Sequence, residues 1–526
     1  MKFPAISRFL PDWRNALLAL LSAGLLILAF PPFELWIAAW FALVPLLWAV
    51  EREKNSRSRP FVLGWLFGNM FFFGTCWWLT FAPITYADFP APLAYFLLFC
   101  VTSVAAVFPG LFAAICAFLL RRFGSIAFLS VPFVWVFTEF LRYWLTGNNW
   151  NSIGYSQAFT RLTLSFAGIG GVLFVSLICC LINIPLFLLL FWKGQRHVWN
   201  IIFLCLFAIL MIFATVVIPA RTNIGSDSKQ VVAEVTAIQP NVPMSGLTLD
   251  KWRDLRKEHV QLAETALTKI RENRSWHYKP PNLIIFPESP MNFMYEDDPE
   301  TKEFINGFAK RNSVNVLFNS AEPDASNGKY FNSAVMVGAE GKEVAQYDKI
   351  YLLPFGEAVP FPLEGILPGF VGNFSYGREY DLLPLGEAKA GVMICFESHF
   401  GQLSREYVRN GADVIIEMTN DGYLGPTPVL RQHLANAVFR AVETNRPVLR
   451  VTNVGITAYI NERGEVLDAA DSYVEATRVW SVTKSDGSQT FYVKYGDWFA
   501  WLCTIITVGL LGLATFWKNR IFRNRE

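Results

Sequence analysis

Gly391-Val392-Met393-Ile394-Cys395-Phe396-Glu397 reads as an apolar strand that ends on a thiol, with a carboxylate two places further on. A continuous apolar run of this kind suits a strand covered on both faces, as in a parallel sheet flanked by helices. A cysteine at such a place is commonly a buried core residue, so its surroundings must decide. Of the 8 cysteines, Cys76, Cys100, Cys116, Cys179, Cys180, Cys205 and Cys503 fall in long apolar blocks. Cys395 alone falls in the segment of ordinary soluble composition between 220 and 496. It has no partner there, which excludes a disulfide framework for that segment and leaves a lone thiol as a candidate nucleophile.

Around it, short β-rich runs alternate with helical stretches. Strands are expected at 231–238, 283–286, 315–318, 334–337, 390–395, 414–417 and 448–451. Helical periodicity is clearest over 249–272, 303–311 and 429–444. Arg463-Gly464 between 457–460 and 466–467 signals a hairpin. Such alternation predicts one layered α/β domain with a single large core.

The rest of the chain is of another kind. Of 526 residues, 53% are hydrophobic and 16% aromatic, and 17% are charged, against about 25% charged in an average globular domain. Mean hydropathy is +0.32. The net charge of +2 gives no electrostatic reason to expect a nucleic-acid partner. A spanning helix needs about 20 mostly apolar residues. Candidate blocks lie near 16–31, 35–50, 61–83, 91–120, 126–146, 163–192, 199–219 and 498–517. Arg52, Lys54, Arg57 and Arg59 follow the second block, Arg121 and Arg122 the fourth, Lys193 and Arg196 the sixth, and Lys518, Arg520, Arg523 and Arg525 the last. With about eight spans, every basic cluster falls on one side, as the positive-inside rule requires. Both termini are then cytoplasmic and the α/β segment is outside. A cleaved leader over the first block is the alternative, and it breaks this parity. The expected division is 1–219 as a helical bundle, 220–496 as the catalytic domain, and 497–526 as a final helix with a basic tail. Glu139 and Arg142, three apart on the fifth block, are expected to pair on one helix face.

A thiol attacks as thiolate, so a nucleophilic cysteine needs a base and a stabilising charge. Two further strand-end signatures supply them: Ile285-Phe286-Pro287-Glu288, and Tyr347-Asp348-Lys349 followed by Leu353-Pro354-Phe355-Gly356-Glu357. Singly, each reads as a solvated loop. Together and in this order they resemble the Glu-Lys-Cys signature of the nitrilase (carbon–nitrogen hydrolase) superfamily. Thr138-Glu139-Phe140-Leu141-Arg142, Gly154-Tyr155-Ser156-Gln157, Gln239-Pro240-Asn241, Thr419-Asn420-Asp421, Thr452-Asn453-Val454-Gly455-Ile456-Thr457 and Gly496-Asp497-Trp498 extend the likeness nearly end to end. The whole chain is similar to the membrane-anchored branch of that superfamily, the apolipoprotein N-acyltransferases.

The resemblance implies a polytopic helical bundle plus a nitrilase-like αββα sandwich, in a bacterial inner membrane, with the catalytic domain on the periplasmic side. It implies Glu288 as base, Lys349 and the Phe396 backbone N–H at the oxyanion, Cys395 as nucleophile, and support from Glu357 and Glu397. Trp252, Phe361 and Tyr423 match substrate-side positions. The partners implied are a phospholipid acyl donor and a diacylglyceryl apolipoprotein acceptor, with no cofactor or metal, and the enzyme is expected to act as a monomer. Two positions depart from the family: Phe396 where Tyr is frequent, and Gly422-Tyr423-Leu424-Gly425 where aromatics are frequent. Apolar loop residues Met291, Phe293, Met294 and Tyr295, Phe361, Leu363, Ile366, Leu367, Phe370 and Phe374, and Tyr423 with Leu424, are expected to form a lipid-facing lid. A Cys395–His399 dyad lacks an orienting partner, His433 reads as structural, and no zinc spacing or Walker motif is present. A membrane-tethered amidase and a transporter with a ligand-binding ectodomain are the competing readings; the latter lacks mid-membrane polar residues.

Overall fold

The computed structural model describes residues 9–191, 231–272, 283–288, 293–354, 356–359 and 374–516. The chain divides into two compact units, Met1–Ile224 with Tyr495–Glu526, and Gly225–Lys494.

The first unit is helical: α1 Trp13–Leu28, α2 Val44–Glu53, α3 Arg59–Thr75, α4 Ala91–Ala105, α5 Val107–Phe123, α6 Val131–Thr146, α7 Ala167–Phe191 and the closing helix Trp498–Phe516. Proline occupies the first turn of α2, α3, α4 and α6, where its missing N–H costs no hydrogen bond. α3 and α5 approach closely through glycine: a Cβ on Gly64 would stand 2.1 Å from the Pro109 carbonyl oxygen. Backbone contact through small residues is how helices adhere where water supplies no driving force. Three stretches are long and apolar enough to cross a membrane, Ala91–Thr146, Ala167–Phe191 and Trp498–Phe516. The pair Arg59–Thr75 and Trp77–Tyr86, bent by 61°, makes a fourth if taken as one span. The 56-residue stretch doubles back, since α5 and α6 pack on each other across the 3-10 turn Gly124–Ser130. The expected block at 35–50 is a 3-10 turn, Trp36–Trp40, followed by the ten-residue α2. The block at 199–219 lies outside the described residues. α7 breaks near its start, at Gly170 and Gly171, where Gly171 has φ +69°.

Glu139 and Arg142 do not pair with each other. Glu139 Oε1 accepts from the Ile153 N–H at 2.8 Å, while Arg142 donates to the Trp150 carbonyl at 3.0 Å and the Ser152 hydroxyl at 3.3 Å. Both brace the loop after α6, because its backbone groups offer the partners that the apolar surroundings lack.

The second unit holds two sheets. The first contains β1 Val231–Gln239, β2 Leu283–Ile285, β3 Asn315–Asp324, β4 Lys329–Val337, β5 Glu343–Asp348, β6 Phe374–Ser375 and β13 Ala476–Thr483, in the order β13-β1-β2-β3-β4-β5, with β6 beside β4. β1, β2 and β3 run parallel, and the flanking pairs are antiparallel. The second contains β7 Leu382–Leu385, β8 Ala388–Ile394, β9 Val414–Thr419, β10 Val448–Thr452, β11 Ala458–Ile460 and β12 Val466–Leu467, with β8, β9 and β10 parallel at its centre. β1 packs toward β10 and β5 toward β7, so the sheets face each other. Helices α8 Leu249–Glu272 and α9 Pro299–Asn312 cover the first sheet; α10 Gly401–Arg409 and α11 Val429–Thr444 cover the second. Val260, Ala263, Leu267, Ile305 and Phe308 meet Ile284, Phe286, Val316 and Phe318 in one apolar layer. Phe293 and Tyr295, expected in a lid, are 2% and 1% exposed members of that layer, and both rings pack on Phe318 at 5.5 Å.

Candidate active site

Strand ends from both sheets converge in the second unit, the place where parallel strands present ligand-binding groups. Glu288 follows β2 after Phe286-Pro287. Its Oε1 accepts from Asn332 Nδ2 at 3.2 Å and lies 3.5 Å from Lys349 Nζ, and its Oε2 accepts from the Asn420 N–H at 3.1 Å. The Cys395 thiol lies within electrostatic reach of that carboxylate and of Lys349. Burial lifts the pKa of Glu288 above the ordinary glutamate value; Lys349 opposes that and Glu357 adds to it.

Lys349 is set one residue past β5. Its N–H donates to the Asn332 carbonyl at 2.9 Å, continuing the β4–β5 ladder, and its own carbonyl accepts from Gly377 N–H at 2.8 Å. Only glycine fits at 377, where a Cβ would meet the Asp348 carbonyl oxygen at 2.0 Å. The ammonium is 1% exposed and 2.8 Å from Glu357 Oε1. Burial pulls its pKa down, but Glu357 and Glu288 outweigh burial and hold it above the usual lysine value. Glu357 also accepts from Asn332 Nδ2 at 2.6 Å and from the Leu353 N–H at 2.7 Å.

Cys395 leaves β8 with φ +53° and opens the 3-10 helix Cys395–His399, one residue short of the strand end expected from the sequence. This left-handed backbone belongs to a half-buried residue; such strain in a non-glycine residue is held only by firm surroundings. Burial and the Glu288 charge push the thiol well above its usual pKa, against the pull of Lys349. The group therefore rests as thiol. Glu397, fully buried, accepts from Ile394 N–H (2.8 Å), Ile350 N–H (2.7 Å), Tyr351 N–H (3.0 Å) and the Tyr347 hydroxyl (2.8 Å). Burial pushes it up to about 7 despite those donors and Lys349. It ties the nucleophile turn to the lysine strand.

Asn332, which sequence reasoning missed, is 8% exposed and donates to both Glu288 and Glu357 while accepting from Asn319 at 2.6 Å. No sequence signal marked it, because the strand expected there begins at Ala334 while β4 begins at Lys329. His399 is buried and stacks on Phe396 at 5.5 Å. The histidine that meets the nucleophile is His433, whose Nε2 is 3.1 Å from the Cys395 carbonyl oxygen. His433 Nδ1 stands 2.7 Å from Asp421 Oδ1, and Arg450 reaches Asp421 Oδ2 at 2.8 Å and Glu417 at 2.5 Å. His433 and Arg450 outweigh burial and hold the Asp421 carboxyl below its ordinary pKa. Trp252, half-buried in the first turn of α8, has none of Glu288, Lys349 or Cys395 among its partners. Tyr423 is 55% exposed, next to Gly422, where a Cβ would strike Met244 at 2.5 Å. Phe374 is half-buried beside β4. Phe361, Leu363, Ile366, Leu367, Phe370 and Met291 lie outside the described residues.

A half-buried cysteine with a glutamate and a lysine on facing α/β sheets defines the carbon–nitrogen hydrolase class, and residues 235–490 match the family described as Carbon-nitrogen hydrolase. Residues 22–185 match the apolipoprotein N-acyltransferase N-terminal domain. The chain is 32% identical over 513 residues to the apolipoprotein N-acyltransferase of Geobacter metallireducens, covering 95% of this chain and 94% of that one. It is 31% identical over 509 residues to that of Allorhizobium ampelinum, covering 91% and 92%. Among solved structures, a Saccharomyces cerevisiae member of the nitrilase superfamily covers 49% of this chain and 93% of its own at 17% identity, with a TM-score of 0.36. The chain belongs to the apolipoprotein N-acyltransferase family, a family of bacterial membrane enzymes.

Proposed function

We propose that this enzyme moves a fatty acyl chain from a phospholipid to the α-amino group of a diacylglyceryl-cysteine, through a thioester on Cys395. The observation that carries the reading is the meeting of three strand ends: Lys349 Nζ stands 3.5 Å from Glu288 Oε1, and the charges of both act on the Cys395 thiol. As Sγ bonds to the ester carbonyl carbon, its proton passes to Glu288. The carbonyl electrons move to oxygen, where Lys349 and the Phe396 N–H receive the charge; a preorganised donor of this kind contributes about 3–4 kcal/mol. Collapse breaks the ester C–O bond, and the lysophospholipid oxygen takes the proton from Glu288. The lipoprotein amine then attacks the thioester, Glu288 takes its proton, and Cys395 leaves as thiolate and is reprotonated. Both half-reactions use one site, so kinetics are ping-pong. Glu357 and Asn332 hold the base and the lysine. The raised pKa of the resting thiol supports proton transfer within the attack step rather than a standing thiolate.

The reading extends to the chain as a whole. Eight spans put both termini in the cytoplasm and the second unit on the periplasmic side of the inner membrane, in keeping with the basic clusters. Full-length protein in nanodiscs with labelled phospholipid tests the chemistry by intact-mass measurement. An acyl adduct on Cys395, absent from Cys395→Ala and discharged by a diacylglyceryl lipopeptide, is expected. No adduct, or an adduct lost to water as fast as to the peptide, would overturn the reading; the second outcome belongs to an amidase.

A further inference from the structure

Behind the nucleophile lies a charged group that the reaction as written does not use. Glu417 at the middle of β9, Asp421 after it, Arg450 in β10 and His433 in α11 are each 3% exposed or less. Two carboxylates and a guanidinium at this depth are weak evidence of stability, since well-packed apolar residues of similar volume commonly do as well. Their arrangement is directional. Arg450 holds Asp421 Oδ2, Asp421 Oδ1 faces His433 Nδ1, and His433 Nε2 faces the Cys395 carbonyl oxygen. Nε2 has acceptors in front of it, the Cys395 carbonyl at 3.1 Å and Glu417 Oε1 at 3.2 Å. Asp421 at Nδ1 and both groups at Nε2 are acceptors, so each ring nitrogen fits only as an N–H donor, and at Nε2 the carbonyl is the nearer acceptor. Asp421 is closed in on its far side, where a Cβ on Gly455 would stand 2.2 Å from Oδ2.

The Cys395 carbonyl and the Phe396 N–H belong to one planar trans peptide and point in opposite directions. A donor that fixes the carbonyl therefore aims the N–H. Cys395 itself sits at φ +53°, a conformation that must be held from outside. We propose that His433 is a positioning residue that fixes the Cys395–Phe396 peptide and so aims the Phe396 N–H at the developing oxyanion. This rests on the acyl-transfer reading above, in which that N–H receives the charge.

Two reactions of the same sulfur separate the roles. Acylation by phospholipid builds an oxyanion; alkylation by iodoacetamide does not. Both rates are measured on full-length wild type, His433→Leu and His433→Gln in nanodiscs. His433→Leu is expected to slow acylation about 10²-fold, the scale of one lost oxyanion donor, and alkylation by less than about threefold. His433→Gln, whose amide donates from the place of Nε2, is expected to recover most of the loss. The assignment is overturned if Leu acylates at the wild-type rate, if Leu slows both reactions alike, or if Gln recovers nothing. Should His433→Leu fail to fold, Gln decides: acylation within about tenfold of wild type upholds the assignment and a slower rate overturns it. Wild type that alkylates but never acylates overturns the acyl-transfer reading, and this assignment with it.

Discussion

The amide of Asn332 serves two carboxylates with its two hydrogens, and that is the residue on which the acid–base balance turns. Donation favours an ionised acceptor, so Asn332 holds the Glu288 pKa down against burial. In Asn332→Leu that pKa rises further. In the proposed mechanism the base works as carboxylate, so activity is expected to be lost as pH falls through its pKa, and the acid limb of acylation to move to higher pH; the pH profile of acyl-enzyme formation reads this directly. The rate at neutral pH is expected to fall about tenfold or more, within the range that general-base catalysis contributes. Lys349→Met removes the cation between Glu288 and Glu357, two carboxylates that cannot both ionise cheaply without it. It should move the acid limb further up than Asn332→Leu and cost about 10³-fold, since the proposed oxyanion donor goes as well. A shift toward lower pH in either variant would contradict this account. Glu288 and Cys395 stood out in the sequence because each follows an apolar strand, whereas Lys349, after the polar β5, stood out only through the combined resemblance. Asn332 did not, since an amide within a strand has no signature, and His433 read as structural because it lies on a helical pattern, its approach to a backbone carbonyl leaving no mark in the sequence.

Between residue and fold stands the turn Cys395–His399, and what fixes it is one carboxylate with four donors. Glu397→Gln puts an amide N–H₂ where an acceptor is required, so at least one buried backbone N–H loses its partner. The expected cost is about 1–3 kcal/mol, seen as a lower thermal midpoint in detergent, together with slower alkylation of Cys395. β8 is equally constrained from its other side: a Cβ on Gly391 would meet the Tyr407 ring at 2.4 Å. Gly391→Ala is expected to destabilise by about 1–3 kcal/mol through overpacking, and a midpoint equal to wild type would show that α10 yields without cost. Helices α8 and α11 have the bounds that periodicity gave them, because a buried stripe along a long helix is a strong signal. The edge strands β5, β7 and β13 left no such trace. Their burial alternates or is partial along the run, so their polar residues read as loop. Phe293 and Tyr295 misled for the opposite reason: apolar residues in a loop covered the core beneath them.

On the scale of the molecule, the helical unit depends on close backbone approach. Gly64→Leu is expected to force α3 off α5 and lower the thermal midpoint of the full chain, whereas Gly24, with nothing within 4 Å, should accept alanine without loss. The proposed topology is open to a direct check: a reporter active only outside the cytoplasm should work when fused within 225–230 and fail when fused after 526. Composition made an apolar bundle and a separate α/β segment legible, but not the number of crossings, because short helices such as α2 and the broken start of α7 have the composition of spans without the length. One feature of the second unit bears on time rather than geometry. β1 lies between β2 and β13, and Val231 faces Thr483 across the ladder. A ribosome thus delivers the strand first in the unit and its outer neighbour last. Until Ala476–Thr483 is made, a nascent chain holding every residue of the site still shows β1 as an unpaired edge, the kind that recruits foreign strands. Completion of the sheet, not of the site, is then the step at which this unit becomes safe from association with its neighbours during synthesis.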